Sequence, residues 1–156
     1  MGGELGGQYP GVMGSVAQNF TPGIGFHGSI YISPLIDESL EHYIYVGFQS
    51  LTLKADTTAA FRIVPILAGL SLKGKTPIDG VTTDFGLGLG GSLTWLNVPN
   101  LAQWRIGGSF TVQLQPGIAV NLAEDFELFA RTPVFFLIGT KQLSYVAYDF
   151  GLKMKF

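Results

Sequence analysis

His27, Gly28 and Ser29 form the one spacing in this chain that suits acyl-transfer chemistry. Two residues apart on a β-strand, an imidazole and a hydroxyl leave the same face. His27 then stands where a base for the Ser29 hydroxyl is needed, and Asp37, Asp84 or Asp149 could orient the ring as a third partner. The competing reading is a hydrogen-bonded pair with no reaction to run. A second set of candidates is electrostatic. Arg62, Asp84, Arg105, Glu127, Arg131, Asp149, Lys153 and Lys155 fall on the polar parity of their segments. Enclosed charges are costly unless paired, so an ion-pair network is expected, with a substrate or proton path as the alternative. Other chemistries lack their residues. His27 and His42 are the only histidines and there is no cysteine, which removes thiolate and His-rich metal sites. Asp37, Glu38 and Glu41 read as a solvated turn, so no metal is expected. Gly86, Gly88, Gly90 and Gly91 lie inside an alternating segment with no helix after them, so they form no nucleotide loop and imply no cofactor.

The elements that must hold these residues are strands. Residues 105–122 alternate without a break: Ile106, Phe110, Val112, Leu114, Ile118 and Val120 on one face, Thr111, Gln113, Gln115 and Asn121 on the other. Residues 84–97, 24–37 and 126–139 repeat the pattern, and so does the C-terminus, where Val146, Tyr148, Phe150, Leu152, Met154 and Phe156 oppose Asp149, Lys153 and Lys155. Two segments alternate less cleanly. In 42–54, Ile44, Val46 and Phe48 differ in parity from Leu51 and Leu53, which predicts a β-bulge near Gln49 or Ser50. In 59–75, Phe61, Ile63, Pro65 and Leu67 give way to Leu70 and Leu72, which predicts a slip at Gly69. The glycine-rich segment 5–19 is weakly patterned and completes an even count. Seven turn-forming breaks separate eight strands in a single domain spanning 1–156.

Alternation alone does not say which face meets water. The chain of 156 residues is 47% hydrophobic and 13% charged, too few charges for the solvated exterior of a soluble barrel. The polar faces are mostly Gly, Ser, Thr, Gln and Asn, which suit the crowded interior of an eight-stranded barrel. The apolar faces therefore point outward into lipid, and a strand of about ten residues crosses the apolar band. Phe20, Tyr43, Tyr45, Trp95, Trp104, Phe136, Tyr148 and Phe156 fall near strand ends and read as aromatic girdles at the interfaces. A net charge of −2 with scattered Lys and Arg offers no footprint for nucleic acid. The N-terminal residues have neither a basic segment nor an apolar run, so the export signal is expected to be absent from this chain.

The terminal strand, with Tyr148, Phe150, Leu152, Met154 and a final Phe156, resembles that of bacterial outer-membrane β-barrels. The resemblance implies an eight-stranded antiparallel up-and-down transmembrane β-barrel in the Gram-negative outer membrane, with both termini periplasmic. It further implies that this strand is the signal read by the barrel-assembly machinery. Expected partners are membrane lipid or lipopolysaccharide, and a membrane protein held through the lipid-facing belt. In size and in the spacing of His27 and Ser29 the chain is also similar to small outer-membrane barrels that deacylate lipid A, which implies an acyl hydrolase or transferase. The parity of 24–37, however, turns His27 and Ser29 into the lumen. The expectation is accordingly a non-enzymatic structural or interaction barrel with a packed polar lumen. A lipid-modifying enzyme is the alternative, followed by a small porin-like pore or a loop-shortened or designed barrel.

Overall fold

The computed structural model describes residues 1–32, 39–97, 105–139 and 142–156, with Asn97 and Arg105 as backbone only. The strands are β1 (Gly2–Val12), β2 (Phe20–Ile32), β3 (Leu40–Leu53), β4 (Ala60–Lys75), β5 (Val81–Asn97), β6 (Arg105–Ala123), β7 (Phe126–Arg131), β8 (Val134–Ile138) and β9 (Leu143–Lys155). Each pairs antiparallel with its neighbour, and β1 pairs with β9 to close the barrel, from Gly2 opposite Lys155 to Val12 opposite Tyr145. A 3₁₀ turn, Gly14–Asn19, links β1 to β2. The expected first strand therefore starts earlier and stops sooner than the 5–19 segment.

β7 and β8 are one stave interrupted, which keeps the count at eight. Both pair with β6 and β9, and the register does not change across the break: Arg131 opposes Gly117 and Val134 opposes Leu114. The interruption comes from two prolines. Pro133 has no N–H to give to β9 and Pro116 has none to give to β7–β8. Their carbonyls still accept from Ala147 and Thr132 at 2.9 Å.

The outward faces carry an apolar belt that includes Leu5, Phe26, Ile30, Ile44, Leu89, Phe110, Phe150 and Phe156, all exposed. An uncovered apolar belt around a closed barrel is a surface for lipid. Two parity expectations are overturned. β3 alternates without a bulge from Glu41 to Leu51, so Leu51 is fully buried inside while Ile44 and Val46 face out. β4 has no slip at Gly69 and keeps one register against β5 throughout. Ile63 and Leu67 are buried inside, and Ile66, Leu70 and Leu72 face lipid. The register shifts fall instead in β2, between Thr21 and Ile24 against β3, and in β6, between Asn121 and Ala123 against β7. Tyr43 and Tyr45 are likewise buried in the lumen and Phe20 packs against the lumen core, so none of the three belongs to a girdle, and Trp104 lies outside the described residues. At the termini end, the β4–β5 turn closes through Gly80, whose φ of 77° a side-chain-bearing residue would rarely adopt.

Candidate functional site

The lumen divides into a charged half near the chain termini and an apolar half toward the other end. Strand alternation sends Glu4 from β1, His27 and Ser29 from β2, Asp84 from β5, Arg131 from β7 and Asp149 from β9 to the same enclosed space, all buried. Arg131 is the hub. Its guanidinium meets Glu4 Oε2 and Asp84 Oδ2 at 2.6 Å each, donates to the Tyr31 hydroxyl at 3.2 Å and lies 4.2 Å from the centroid of the Phe129 ring. Asp84 also accepts a hydrogen bond from Ser71. A second cluster lies closer to the termini. Glu127 takes Lys73 at 2.9 Å and Lys155 at 2.7 Å, and Glu41 takes Lys153 and, at 3.7 Å, Lys73. Buried carboxylates and cations in these numbers are tolerable because they face one another.

His27 and Ser29 share the lumen face but do not form a nucleophile–base pair. His27 Nε2 lies 3.0 Å from Glu4 Oε1, and its Nδ1 lies 3.4 Å from Asp149 Oδ1. The ring stacks on Tyr45 with centroids 5.1 Å apart. Ser29 donates to Glu4 at 3.4 Å, so the hydroxyl and the imidazole converge on one carboxylate. Both face the lumen, away from the lipid that an acyl-transfer site must reach. Asp37 lies outside the described residues. Among the described residues no three of His, Cys, Asp and Glu are placed to hold a metal ion.

The other predicted network members divide. Glu127, Arg131, Asp149 and Lys153 are buried in the lumen, and Lys155, exposed at its mouth, pairs with Glu127 as the last hairpin implies. Arg131 stands directly opposite Asp149 in register, yet its ion pairs run across the barrel to Glu4 and Asp84. Arg62 has the parity of Ile66 and Leu70, outward rather than lumenal, because β4 does not slip. Arg105 opens β6, and its side chain is outside the described residues. Glu4 and Lys73 were missed, and Glu41, read as a solvated turn residue, is a buried lumen acid. The usable signal for Glu4 was a lone carboxylate in a glycine-rich segment that must close against the polar face of β9.

A neutral layer bridges the halves. Tyr45 donates to Gln8 Oε1 at 3.2 Å, Gln49 donates to the same oxygen at 2.7 Å, and Tyr145 donates to Gln49 Oε1 at 2.8 Å. Beyond it the lumen turns apolar. Leu51, Ile63, Leu67, Leu137 and Ala147 pack with Phe135, which stacks on Tyr145 at 4.5 Å. The packed polar lumen expected from sequence is packed throughout these layers but polar only in the half near the termini.

A closed ring of eight staves, an apolar belt and charges tied off inside describe one architecture. Neisserial surface protein A matches over 99% of this chain and 96% of its own, with a TM-score of 0.78 and 12% identity. The fold is that of the small outer-membrane β-barrels. Ail, the attachment invasion locus protein of Yersinia pestis, matches with a TM-score of 0.66 at 11% identity, covering 99% of this chain and 97% of its own. The outer membrane enzyme PagL matches with a TM-score of 0.51 at 9% identity over 98% and 99% of the two chains. No family model and no curated protein matches the sequence. At these identities the likeness concerns the fold alone.

Proposed function

We propose that this chain is an integral outer-membrane barrel whose lumen is closed by its own side chains, and that it serves a structural or interaction role without catalysing a reaction. The observation that carries this reading is the stacked lumen itself. The Arg131 hub, the Gln8–Tyr45–Gln49–Tyr145 layer and the Phe135–Leu51 packing follow one another along the axis, each formed by buried side chains. Such filling favours neither a conducting path nor a substrate route to Ser29. The belt supplies contacts for membrane lipid or lipopolysaccharide and for a membrane-protein partner. The outward row Tyr148, Phe150, Leu152, Met154 and Phe156 supplies the assembly signal.

Two measurements test it. Planar bilayers containing the folded barrel should show no steps of conductance, and cells expressing wild type, H27A or S29A should show one lipid acylation profile. Conductance above the protein-free bilayer would replace the reading with a pore. An acylation change present in wild type and lost in either variant would replace it with an enzyme.

A further inference from the structure

The charge on the lipid-facing side of the strands is confined to one place. Among the described residues Arg62 is the single Lys, Arg, Asp or Glu that a strand turns outward. It lies on β4 between Ser50 of β3 and Trp95 of β5 and has no ion pair among the described residues. Aromatic rings frame it. Trp95 reaches across β4 to Phe48, with ring centroids 6.3 Å apart, and Phe48 stacks on the exposed Phe26 at 5.3 Å. From Arg62 the outward row of β4 runs through Val64, Ile66, Ala68 and Leu70 to Leu72, about the ten residues that cross the apolar band. Arg62 therefore stands at the edge of the band farther from the termini, where long cationic side chains and aromatic rings meet the headgroups. The charges of the whole chain divide in the same sense. Of the eleven Asp and Glu, only Asp56 belongs to the half opposite the termini, whereas Lys54, Arg62, Arg105 and Lys141 fall there by chain position. Asp56 is held by Thr58, and the segments of that end outside the described residues, 98–104 and 140–141, contain no acid. The anion that meets Arg62 comes from outside the chain.

We propose that Arg62, with the Trp95–Phe48–Phe26 row, is a docking site for a phosphorylated glycolipid of the lipid A class. The guanidinium takes a phosphate monoester and the rings take the adjoining acyl chains. The site rests on the outer-membrane reading above and fixes one point of the belt as its contact. A phosphate monoester carries about −1.5 to −2 charges and three strong acceptor oxygens, and the planar fork of an arginine binds two such oxygens at once. The occupant is a lipid, not a soluble anion, because Arg62 leaves the barrel sideways, from the same outer surface as the exposed Ile24, Phe26 and Ile66. The wider charge division agrees. A densely anionic leaflet attracts the cationic half and repels the acidic one, which sets the termini on the periplasmic side.

The test titrates the whole folded barrel in detergent with diphosphoryl lipid A and follows the bound lipid by native mass spectrometry. R62Q should weaken the first lipid A bound by about tenfold. R62K, which offers a point charge in place of the fork, should fall between R62Q and wild type. K54Q, on the β3–β4 connection, should change the affinity about twofold or less. Lipid A stripped of both phosphates should bind wild type and R62Q alike, and phosphatidylglycerol should bind wild type more weakly than diphosphoryl lipid A does. The heat-modifiable band reports the folding of each variant. Equal affinity of wild type and R62Q for diphosphoryl lipid A, no binding to wild type, or a difference between the two that persists with the stripped lipid overturns the site. Phosphatidylglycerol bound as tightly as diphosphoryl lipid A overturns the choice of a glycolipid phosphomonoester. If R62Q does not fold, R62K equal to wild type overturns the site and a weakened R62K upholds it. None of these outcomes alters the conductance or acylation results, so failure here is separate from failure of the proposed function.

Discussion

The two halves of the lumen are built by the same strands and held by opposite means. Near the termini, Glu4, Asp84, Glu41 and Glu127 each face a cation on another strand, so the cohesion is carried by individual partnerships. Toward the other end, Leu51, Ile63, Leu67 and Phe135 cohere by filling space. The difference matters because a buried carboxylate without its cation is penalised heavily, whereas an apolar side chain tolerates any neighbour of suitable volume. Only the apolar half can open into a cavity without stranding a polar group.

The largest effect expected from this contrast is at the hub. R131M leaves Glu4 and Asp84 buried without their cation and should destabilise the barrel by about 3–5 kcal/mol, read as a fall in the urea midpoint in vesicles. The triple variant E4Q/D84N/R131M should regain most of that loss. If the triple is as unstable as R131M, volume rather than stranded charge sets the cost, and the contrast between the halves fails.

In the apolar half, L51A should cost about 2–5 kcal/mol through the cavity it leaves, while L51M, which conserves volume, should cost less than about 1.5 kcal/mol. Equal losses in the two variants would mean that this half, too, is specified residue by residue.

The same contrast explains what could be read from the sequence. β5, β6 and β9 were legible because their two faces differ in chemistry: Leu87, Leu89 and Phe110 against Ser92, Thr111 and Gln113. The far ends of β3 and β4 were not, because there both faces are apolar. Leu51 and Ile63 fill the lumen while Val46 and Ile66 face lipid, so a rule that sends apolar residues outward invents a bulge and a slip. The charged half was legible along the last hairpin, where chain neighbours pair. It was not legible across the barrel, where Arg131 reaches Glu4, 127 positions away in sequence, because that contact exists only after β1 closes on β9.

Crowding in the charged half can be probed without touching a charge. A Cβ at Gly6 would stand 2.5 Å from His27 Cε1 and 2.9 Å from Asp149 Oδ1, whereas one at Gly7, on the outer face, would meet nothing within 4 Å. G6A should therefore cost about 1–3 kcal/mol and G7A no more than about 0.5 kcal/mol. Similar midpoints for the two variants would show that His27 and Asp149 yield freely, and that the charged half is looser than its ion pairs imply.

The smallest effect is expected outside both halves, at the β3–β4 connection. Asp56 Oδ1 accepts from the Thr58 hydroxyl at 2.5 Å and from its backbone N–H at 2.9 Å. The Thr58 hydroxyl first, and then its N–H, hold the exposed carboxyl below its ordinary value of 3.8. A carboxyl depressed in the folded state contributes stability above the unfolded value, and the contribution is lost as pH falls through the folded one. The urea midpoints of wild type and D56A should thus differ slightly at neutral pH and converge on acidification below about pH 4. A separation that persists in acid would assign the effect to turn shape rather than charge. A separation as large as that of R131M would mean that the connections, not the lumen halves, govern stability.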